Sequence, residues 1–254
     1  MDDTALLTLA ADLAQRAGTV ILAIRARGFE TTHKSDRSPV TEADHAAEHL
    51  IVAGLRAATP DIPVVAEEEM AAGLIPNSHH TYWLVDPLDG TREFAAGRDE
   101  FTVNIGLVRD GRAVLGAVGV PAYDELYGGH APTGRAWKRT VAGEQTIRAR
   151  PVPEGGLHVL ASRAYGTDPR LTDLLRGRPV AQVTHMGSAL KIVRLAEGAA
   201  DLYPRFGPTM EWDTAAPQAV LEAAGGTLRT MEGALFTYGK AGWLNPSFIC
   251  TGRL

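Results

Sequence analysis

Residues 81–94 read TYWLVDPLDGTREF, an apolar run that ends in two aspartates three positions apart, Asp86 and Asp89, and passes at once into Gly90 and Thr91. So short an apolar run reads as a buried strand, and a charge at its end marks where the strand must open toward water or a partner of opposite charge. Two carboxylates with backbone carbonyls between them form an oxygen-rich turn suited to Mg²⁺. Gly90 lets backbone approach closely, and the amides after it suit a phosphate. The same turn also occurs as plain structure. An EF-hand is disfavoured, because the alternating acidic ligands and the distal Glu are missing.

The chain of 254 residues is long enough for a sizeable core in one or two domains, and 45% hydrophobic with 22% charged residues is the composition of a globular protein. A formal net charge of −5 supplies no basic stripe, which argues against a nucleic-acid polymer as partner. The single cysteine, Cys250, can form no internal disulfide and fits a reducing cytoplasm. Near the start, Leu6, Leu9, Leu13, Ala17, Val20, Ile21 and Ile24 recur at helical spacing, the pattern of an amphipathic core helix rather than a signal peptide. No stretch approaches the roughly 18 consecutive apolar residues of a membrane span. No transmembrane segment is expected, and a peripheral contact with the inner face of the membrane is left open.

A second helix is expected over about 41–58, then strands at Val64–Ala66 and at 81–86, each delivering carboxylates at its end. Residues 100–109 and 112–120 alternate around Asp110–Gly111, the signature of a tight hairpin, so the first half reads as helices on a largely antiparallel sheet. Residues 128–156 are rich in Gly, Pro, Arg and Thr with at most a short strand, which suggests a division into 1–135 and 136–254. Beyond it, strands at LHVLAS, VAQVTH and ADLYP alternate with helices at about 168–177, 188–197 and 213–224, an α/β pattern.

Three further acidic positions are ambiguous one at a time. Glu67, in VVAEEEMAAG, belongs either to a solvated run with Glu68 and Glu69 or to a strand end pointing inward. Thr41 and Asp44, in SPVTEAD, have the spacing of a helix capping box, and Asp213, in MEWDTAA, that of an N-cap. Brought together, these carboxylates would repel one another strongly without cations, and bound metal accounts for all of them at once.

Lys34 with SPVTEAD, Glu67–Glu68, WLVDPLDGTREF and EWDTAAPQAVLEAAGG occur in the order and spacing of the inositol monophosphatase superfamily, and the resemblance spans nearly the whole chain. DPLDGTREF and GSALKIVRLAEGAADLYPRFGPTMEWDTAA resemble its 3′(2′),5′-bisphosphate nucleotidase branch. The resemblance implies a layered αβαβα sandwich with the site between its halves. It also implies a lithium-sensitive, Mg²⁺-dependent phosphatase of sulfur metabolism, a monomer or homodimer, holding two or three ions.

Carried over residue by residue, the resemblance makes Glu67, Asp86, the Leu88 carbonyl, Asp89 and Asp213 the metal ligands. Asp44 and Thr91, with Glu67, handle the attacking water. Residues 1–135 would thus carry most of the ligands and residues 136–254 the substrate contacts. Lys34, Gly90, Thr91, Ser162, Gly187, Ser188, Lys191, Arg205 and Asp213 would contact the substrate, a small nucleotide bisphosphate. Ser188 and Lys191 also read as a helix cap and a solvated charge, and Arg205 as a solvated arginine beside Pro204. Arg205 stands where inositol-specific relatives carry an acidic residue, and a guanidinium there suits a second phosphate. The chain departs from the branch at ASRAYG, where Ala164 and Tyr165 follow Ser162 and Arg163, so the nucleoside contact is unassigned.

The substrate implied is adenosine 3′,5′-bisphosphate or its sulfated analogue. The alternatives are an inositol or sugar monophosphatase of the same fold and a catalytically silent nucleotide sensor. A haloacid-dehalogenase mechanism is disfavoured, because its D-x-D-G-T spacing is one residue shorter than that from Asp86 to Asp89.

Overall fold

The computed structural model describes residues 1–33, 39–74, 80–163 and 168–253; Lys34, Ala164 and Tyr165, singled out above, lie outside the described residues. Helix α1 (Asp3–Arg27) begins at an Asp2 cap, and α2 (Glu42–Ala58) packs against it after two short paired strands, β1 (Thr31–His33) and β2 (Pro39–Thr41). By length and composition α1 is apolar enough to cross a membrane. Its apolar face is nevertheless covered by α2 and the first sheet, which accounts for that apolarity without a bilayer. Nothing in the described residues supports the peripheral membrane contact left open by the sequence.

The first sheet runs β3 (Val64–Ala66), β4 (Thr81–Asp89), β5 (Thr102–Arg109), β6 (Arg112–Val120), β7 (Glu125–His130), β8 (Arg135–Thr140) and β9 (Gly143–Thr146), with neighbours in chain order. Only β3 and β4 pair in parallel. Asp110 and Gly111 both adopt positive φ, at 49° and 71°, in the expected hairpin turn between β5 and β6. β8 and β9 continue this sheet past the expected division at 135/136, as far as Thr146. Both strands lie at the sheet's open edge, and β9 is exposed throughout, so their composition resembles that of a linker.

Short helices α3 (Glu67–Ala71) and α4 (Thr91–Ala95) leave the ends of β3 and β4. The second sheet has the order β11-β10-β12-β14-β13, from β10 (Leu157–Ser162), β11 (Val180–Met186), β12 (Leu202–Arg205), β13 (Thr227–Thr230) and β14 (Phe248–Thr251). Its helices are α5 (Pro169–Leu175), α6 (Leu190–Ala196) and α7 (Glu211–Ala223). The layers are α1 with α2, the first sheet, α6 with α7, the second sheet, and α5, whose Leu171 packs on Leu157, Val159 and Leu202. This is the expected αβαβα sandwich.

The two-residue period of β4 decides which way its carboxylate points. Trp83 and Val85 pack into the core beneath α1 and α2, while Tyr82 and Leu84 pack into the core with α7. Asp86, next in the even series, therefore falls on the α7 side. How closely α7 can approach depends on small residues, since Gly106, Gly116 and Gly129 pair with one another across β5, β6 and β7. A Cβ at Gly116 would lie 2.4 Å from the Ala216 carbonyl oxygen and 2.5 Å from its Cα. Backbone cannot yield to a methyl group at that distance, so α7 and Asp213 hold their height above the sheet only while the row stays bare. Gly116→Ala is accordingly expected to destabilise the fold by roughly 1–3 kcal/mol through overpacking. An unaltered midpoint in urea unfolding would refute this seat for α7.

Candidate active site

A cleft of about 400 Å³ lies where the ends of β3 and β4 meet the loops before α6 and α7, and Glu67, Asp86, Leu88, Asp89, Thr91 and Asp213 line it. Gly90, Ser162, Gly187, Ser188, Lys191 and Arg205 line it as well. Thus every site residue expected from the sequence is on its wall except Asp44, which reaches it through Thr91, and Lys34, which is not described. A second groove, of about 320 Å³ beside α1 and β6, contains none of them.

β4 does not stop at Asp86, as the sequence suggested. Asp86 faces Asn104 and Asp89 faces Thr102, so Pro87 and Leu88 together oppose the single Val103. That bulge swings the chain, and the Leu88 amide closes it by donating to Asp86 Oδ1 at 3.0 Å. Gly90 then adopts φ 97°, and a Cβ there would meet the Glu100 carbonyl oxygen at 2.9 Å. Only glycine satisfies both demands, which is why it follows the second aspartate.

Asp44 serves as cap and as site residue at once, because a carboxylate has two oxygens. Its Oδ2 accepts from the Thr41 amide at 2.8 Å and from the Thr41 hydroxyl at 2.7 Å, completing the capping box, while Oδ1 accepts from Thr91 Oγ1 at 3.0 Å. Leu88 O lies 3.1 Å from the same hydroxyl. Both neighbours only accept, so the hydroxyl proton is turned toward them and a lone pair on Thr91 Oγ1 is left to receive a proton from a molecule in the cleft. Asp213 is the third residue of α7 rather than its cap, and its Oδ2 accepts from the Met210 amide at 3.0 Å.

The second half closes the cleft through direct contacts. Asp89 Oδ2 accepts from the Ala189 amide at 2.5 Å, and Glu100 binds both the Gly187 amide at 2.8 Å and Arg163 Nη2 at 2.6 Å. Ser188 sits at φ 49° in the turn, and its hydroxyl accepts from the Leu190 amide. Lys191 is no solvated charge. It is 2% exposed, donates to Ser188 O at 2.6 Å and Met186 O at 3.2 Å, and stands 5.1 Å over the Tyr203 ring. Burial, then Arg205, lower its pKa to about 7. Two of its three donors are therefore spent on the turn that carries Gly187 and Ser188.

Arg205 is likewise anchored rather than solvated, donating to Ser162 Oγ at 3.1 Å and to the carbonyls of Gly207 and Pro208. Burial works against its charge, but Tyr203, Asp213 and Asp89 outweigh burial and raise its pKa.

The acidic groups behave as one electrostatic unit. Burial pushes Asp86 well above the usual carboxylate range, and Glu67, Asp89, Asp213 and Asp44 push it further. Asp213 is raised by burial and by Asp89 and Glu67, and Asp89 by burial despite Lys191 and Arg205. Among the described residues no three His, Cys, Asp or Glu side chains already close on one point as a finished metal site. The donors are nevertheless all hard oxygens whose mutual repulsion a divalent cation would relieve, so the chemistry of the wall fits Mg²⁺.

Glu48, a buried carboxylate that holds the backbone next to Glu67, and Glu211, a buried carboxylate two residues before Asp213 that holds the backbone at Gly239 and Lys240, were not found from the sequence. The signal for Glu48 was its place one helical turn after Asp44, on the apolar face of α2. Glu211 gave a weaker one, as an acidic residue two before Asp213.

This fold and acidic cleft define a class, and residues 2–252 match the inositol monophosphatase family. The chain belongs to that family. It is 43% identical over 242 residues to the 3′(2′),5′-bisphosphate nucleotidase CysQ of Salmonella typhimurium, covering 94% of this chain and 96% of that one. To the enzyme of the same name from Escherichia coli K12 it is 41% identical, covering 93% and 95%. Among solved structures, CysQ from Bacteroides thetaiotaomicron superposes with a TM-score of 0.81 at 33% identity over 98% of both chains. An inositol monophosphatase from Anabaena superposes at 0.79 with 25% identity, over 98% of this chain and 91% of that one.

A carboxylate whose folded-state pKa lies above its unfolded value costs stability that builds up as pH climbs from the unfolded value to the folded one, and costs nothing below both. With metal removed by EDTA at pH 8, Asp86→Asn is expected to melt higher than the parent. A rise of about 2–4 °C corresponds to 1 kcal/mol in a chain of this size. The two should converge as pH falls and the parent's carboxylates protonate. A variant melting below the parent at pH 8 would argue against repulsion in the cleft.

Proposed function

We propose that this chain is a Mg²⁺-dependent 3′(2′),5′-bisphosphate nucleotidase that hydrolyses the 3′-phosphate of adenosine 3′,5′-bisphosphate to AMP and phosphate, and also accepts the sulfated analogue. The observation that carries the substrate choice is Arg205, a guanidinium held in the cleft wall beside Asp213 and Asp89. Identity of 41–43% to enzymes of that name supports it.

Glu67, Asp86, the Leu88 carbonyl, Asp89 and Asp213 would hold two or three Mg²⁺ ions. When bound, the ions supply Lewis-acid activation of water and offset the charge on the phosphoryl group. The chain's own residues then do the rest. Thr91 Oγ1, its proton held by Asp44, orients the attacking water and accepts a hydrogen bond from it. Gly90 keeps side-chain bulk away from the phosphate. In-line attack forms one P–O bond and breaks the bond to the 3′ oxygen; the proton lost by the water passes by way of Thr91 toward Asp44, and the 3′ oxygen takes up one proton from solvent as it leaves, so the proton count balances. Gly187, Ser188 and Ser162 line the side where the nucleoside sits, in a turn stiffened by Lys191. Arg205 faces the 5′-phosphate.

The direct test is phosphate release from adenosine 3′,5′-bisphosphate and from inositol 1-phosphate, each with and without Mg²⁺. Turnover of the bisphosphate that needs Mg²⁺ and exceeds turnover of the monophosphate is the expected result, and preference for inositol 1-phosphate would overturn it. Asp213→Asn removes charge at nearly constant volume and is expected to lower kcat at least 100-fold while circular dichroism stays native. Full activity would remove Asp213 from the site.

Substrate choice has its own test. A guanidinium can make two charge-assisted hydrogen bonds to the spectator phosphate, each worth roughly 1.5–3 kcal/mol. At about 1.4 kcal/mol per tenfold, Arg205→Met should lower kcat/KM for the bisphosphate on the order of 10- to 100-fold and leave the slow monophosphate reaction unchanged. Arg205 also supports Ser162 and two loop carbonyls. Parallel losses on both substrates would therefore mean that it only holds the wall.

A further inference from the structure

Glu67 is the first residue of a helix that cannot cap itself. α3 has five residues, and the residue before it, Ala66, carries no side-chain acceptor. Its free amides are the unsatisfied donors that every helix start presents, and here they lie in the protein interior. Glu48 supplies both acceptors from another helix. Its Oε2 accepts from the Glu68 amide at 2.7 Å and its Oε1 from the Glu69 amide at 2.8 Å. The side chain is 5% exposed and lies on the buried face of α2. Burial, the largest influence, pushes its pKa up to about 7 although both amides pull it down. So costly a carboxylate is kept in place by what it holds.

Glu48 stands four residues after Asp44, and the two side chains leave α2 one above the other. Asp44 reaches Thr91 at the start of α4, and Glu48 reaches the start of α3. A single rigid helix thereby sets the two short helices that carry Thr91 and Glu67. Arg56, farther along α2, adds a bidentate pair to Glu69 at 2.9 and 2.7 Å, but that pair is half exposed and contributes little.

We propose that Glu48 is a positioning residue for the reaction: it caps α3 from outside the helix and thereby holds Glu67 where it can share a cation with Asp86. The role rests on the Mg²⁺-dependent reading above. Glu48 touches neither substrate nor cation, so its loss should weaken the cation site and spare the chemical step. Outer contacts of this kind typically change metal affinity 10- to 100-fold.

The test compares the parent with Glu48→Ala, Glu48→Gln and Ile51→Val, the last loosening the core face of α2 without touching an α3 amide. Mg²⁺ binding is measured by isothermal titration calorimetry on substrate-free protein, and backbone hydrogen exchange over residues 64–72 is followed in the same samples. The expected result for Glu48→Ala is Mg²⁺ affinity at least 10-fold weaker and faster exchange in α3, with kcat at saturating Mg²⁺ within about threefold of the parent. Glu48→Gln keeps one acceptor and should fall between the two, which also carries the test if the alanine variant fails to fold. Ile51→Val should bind Mg²⁺ like the parent.

Both Glu48 variants binding Mg²⁺ within twofold of the parent would overturn the role, whatever their melting temperatures. So would equal losses in Ile51→Val, which would show a purely structural effect. A parent that binds no Mg²⁺ at all would overturn the phosphatase reading and this role together, and that result is distinct from the other two.

Discussion

Carboxylates held out of water and turned toward one another are the constraint around which this molecule is arranged. Asp86, Asp89 and Asp213 are each driven above the ordinary carboxylate range by burial and by acidic neighbours in the same cleft, Glu67 among them, and no gain in packing explains putting them together. A folded chain tolerates such a cluster only where the surrounding elements cannot drift apart to relieve it. The strain of the cleft and the rigidity of its frame are thus one problem. A divalent cation would convert repulsion into attraction, which is why a site that is poor structure makes good chemistry.

The frame answers with two helices on opposite faces of one sheet. On one face α7 is pressed onto the glycine row of β5, β6 and β7, so that Asp213 stands at a fixed height over the end of β4. On the other face α2 spends two buried carboxylates on the starts of α4 and α3. Glu211 repeats the device at α7, accepting from the amides of Gly239 and Lys240 at 2.9 and 2.8 Å while fully buried. In each case a charge that would destabilise an ordinary core is met locally, by amides at Glu48, by an amide and two hydroxyls at Asp44, and by amides and the Lys240 ammonium at Glu211, and the gain is position rather than stability.

How much of this the sequence revealed follows from how local each cause is. The strand at LHVLAS, the hairpin at Asp110–Gly111 and the helices of the second half depend on periodicity and turn chemistry, and they were legible, whereas β7, β13 and β14 were not read as strands. The acidic residues of the cleft could be collected because each sits at the end of an element. By contrast, β8 and β9 close the sheet at its edge, with β9 exposed throughout, and their composition imitates a linker. Asp44 appeared to demand a choice between cap and site because a motif does not show that its two oxygens face different partners. Lys191 reads as a surface charge in sequence, and only the fold shows Met186 O, Ser188 O and the Tyr203 ring around it. Glu48 showed only its place on the apolar face of α2, not its role: its partners are backbone amides about twenty positions away, and amides leave no signature in a sequence.

The contacts that close the cleft also tie its two halves together. Asp89, from the first sheet, accepts from the amide of Ala189, so one carboxylate belongs both to the acidic wall and to the turn that carries Gly187 and Ser188. Glu100 plays the same double part at the rim, holding Gly187 and Arg163 from the loop before β5. Lys191 and Arg205 add positive charge from behind, and their field lowers the cost of Asp89. Any displacement of the second sheet relative to the first would therefore disturb acidic wall and binding turn together. On the reading proposed above, the substrate side could not vary independently of the metal side, which would leave exchange of single side chains at the rim, such as Arg205, as the way to change the phosphate ester while keeping the chemistry.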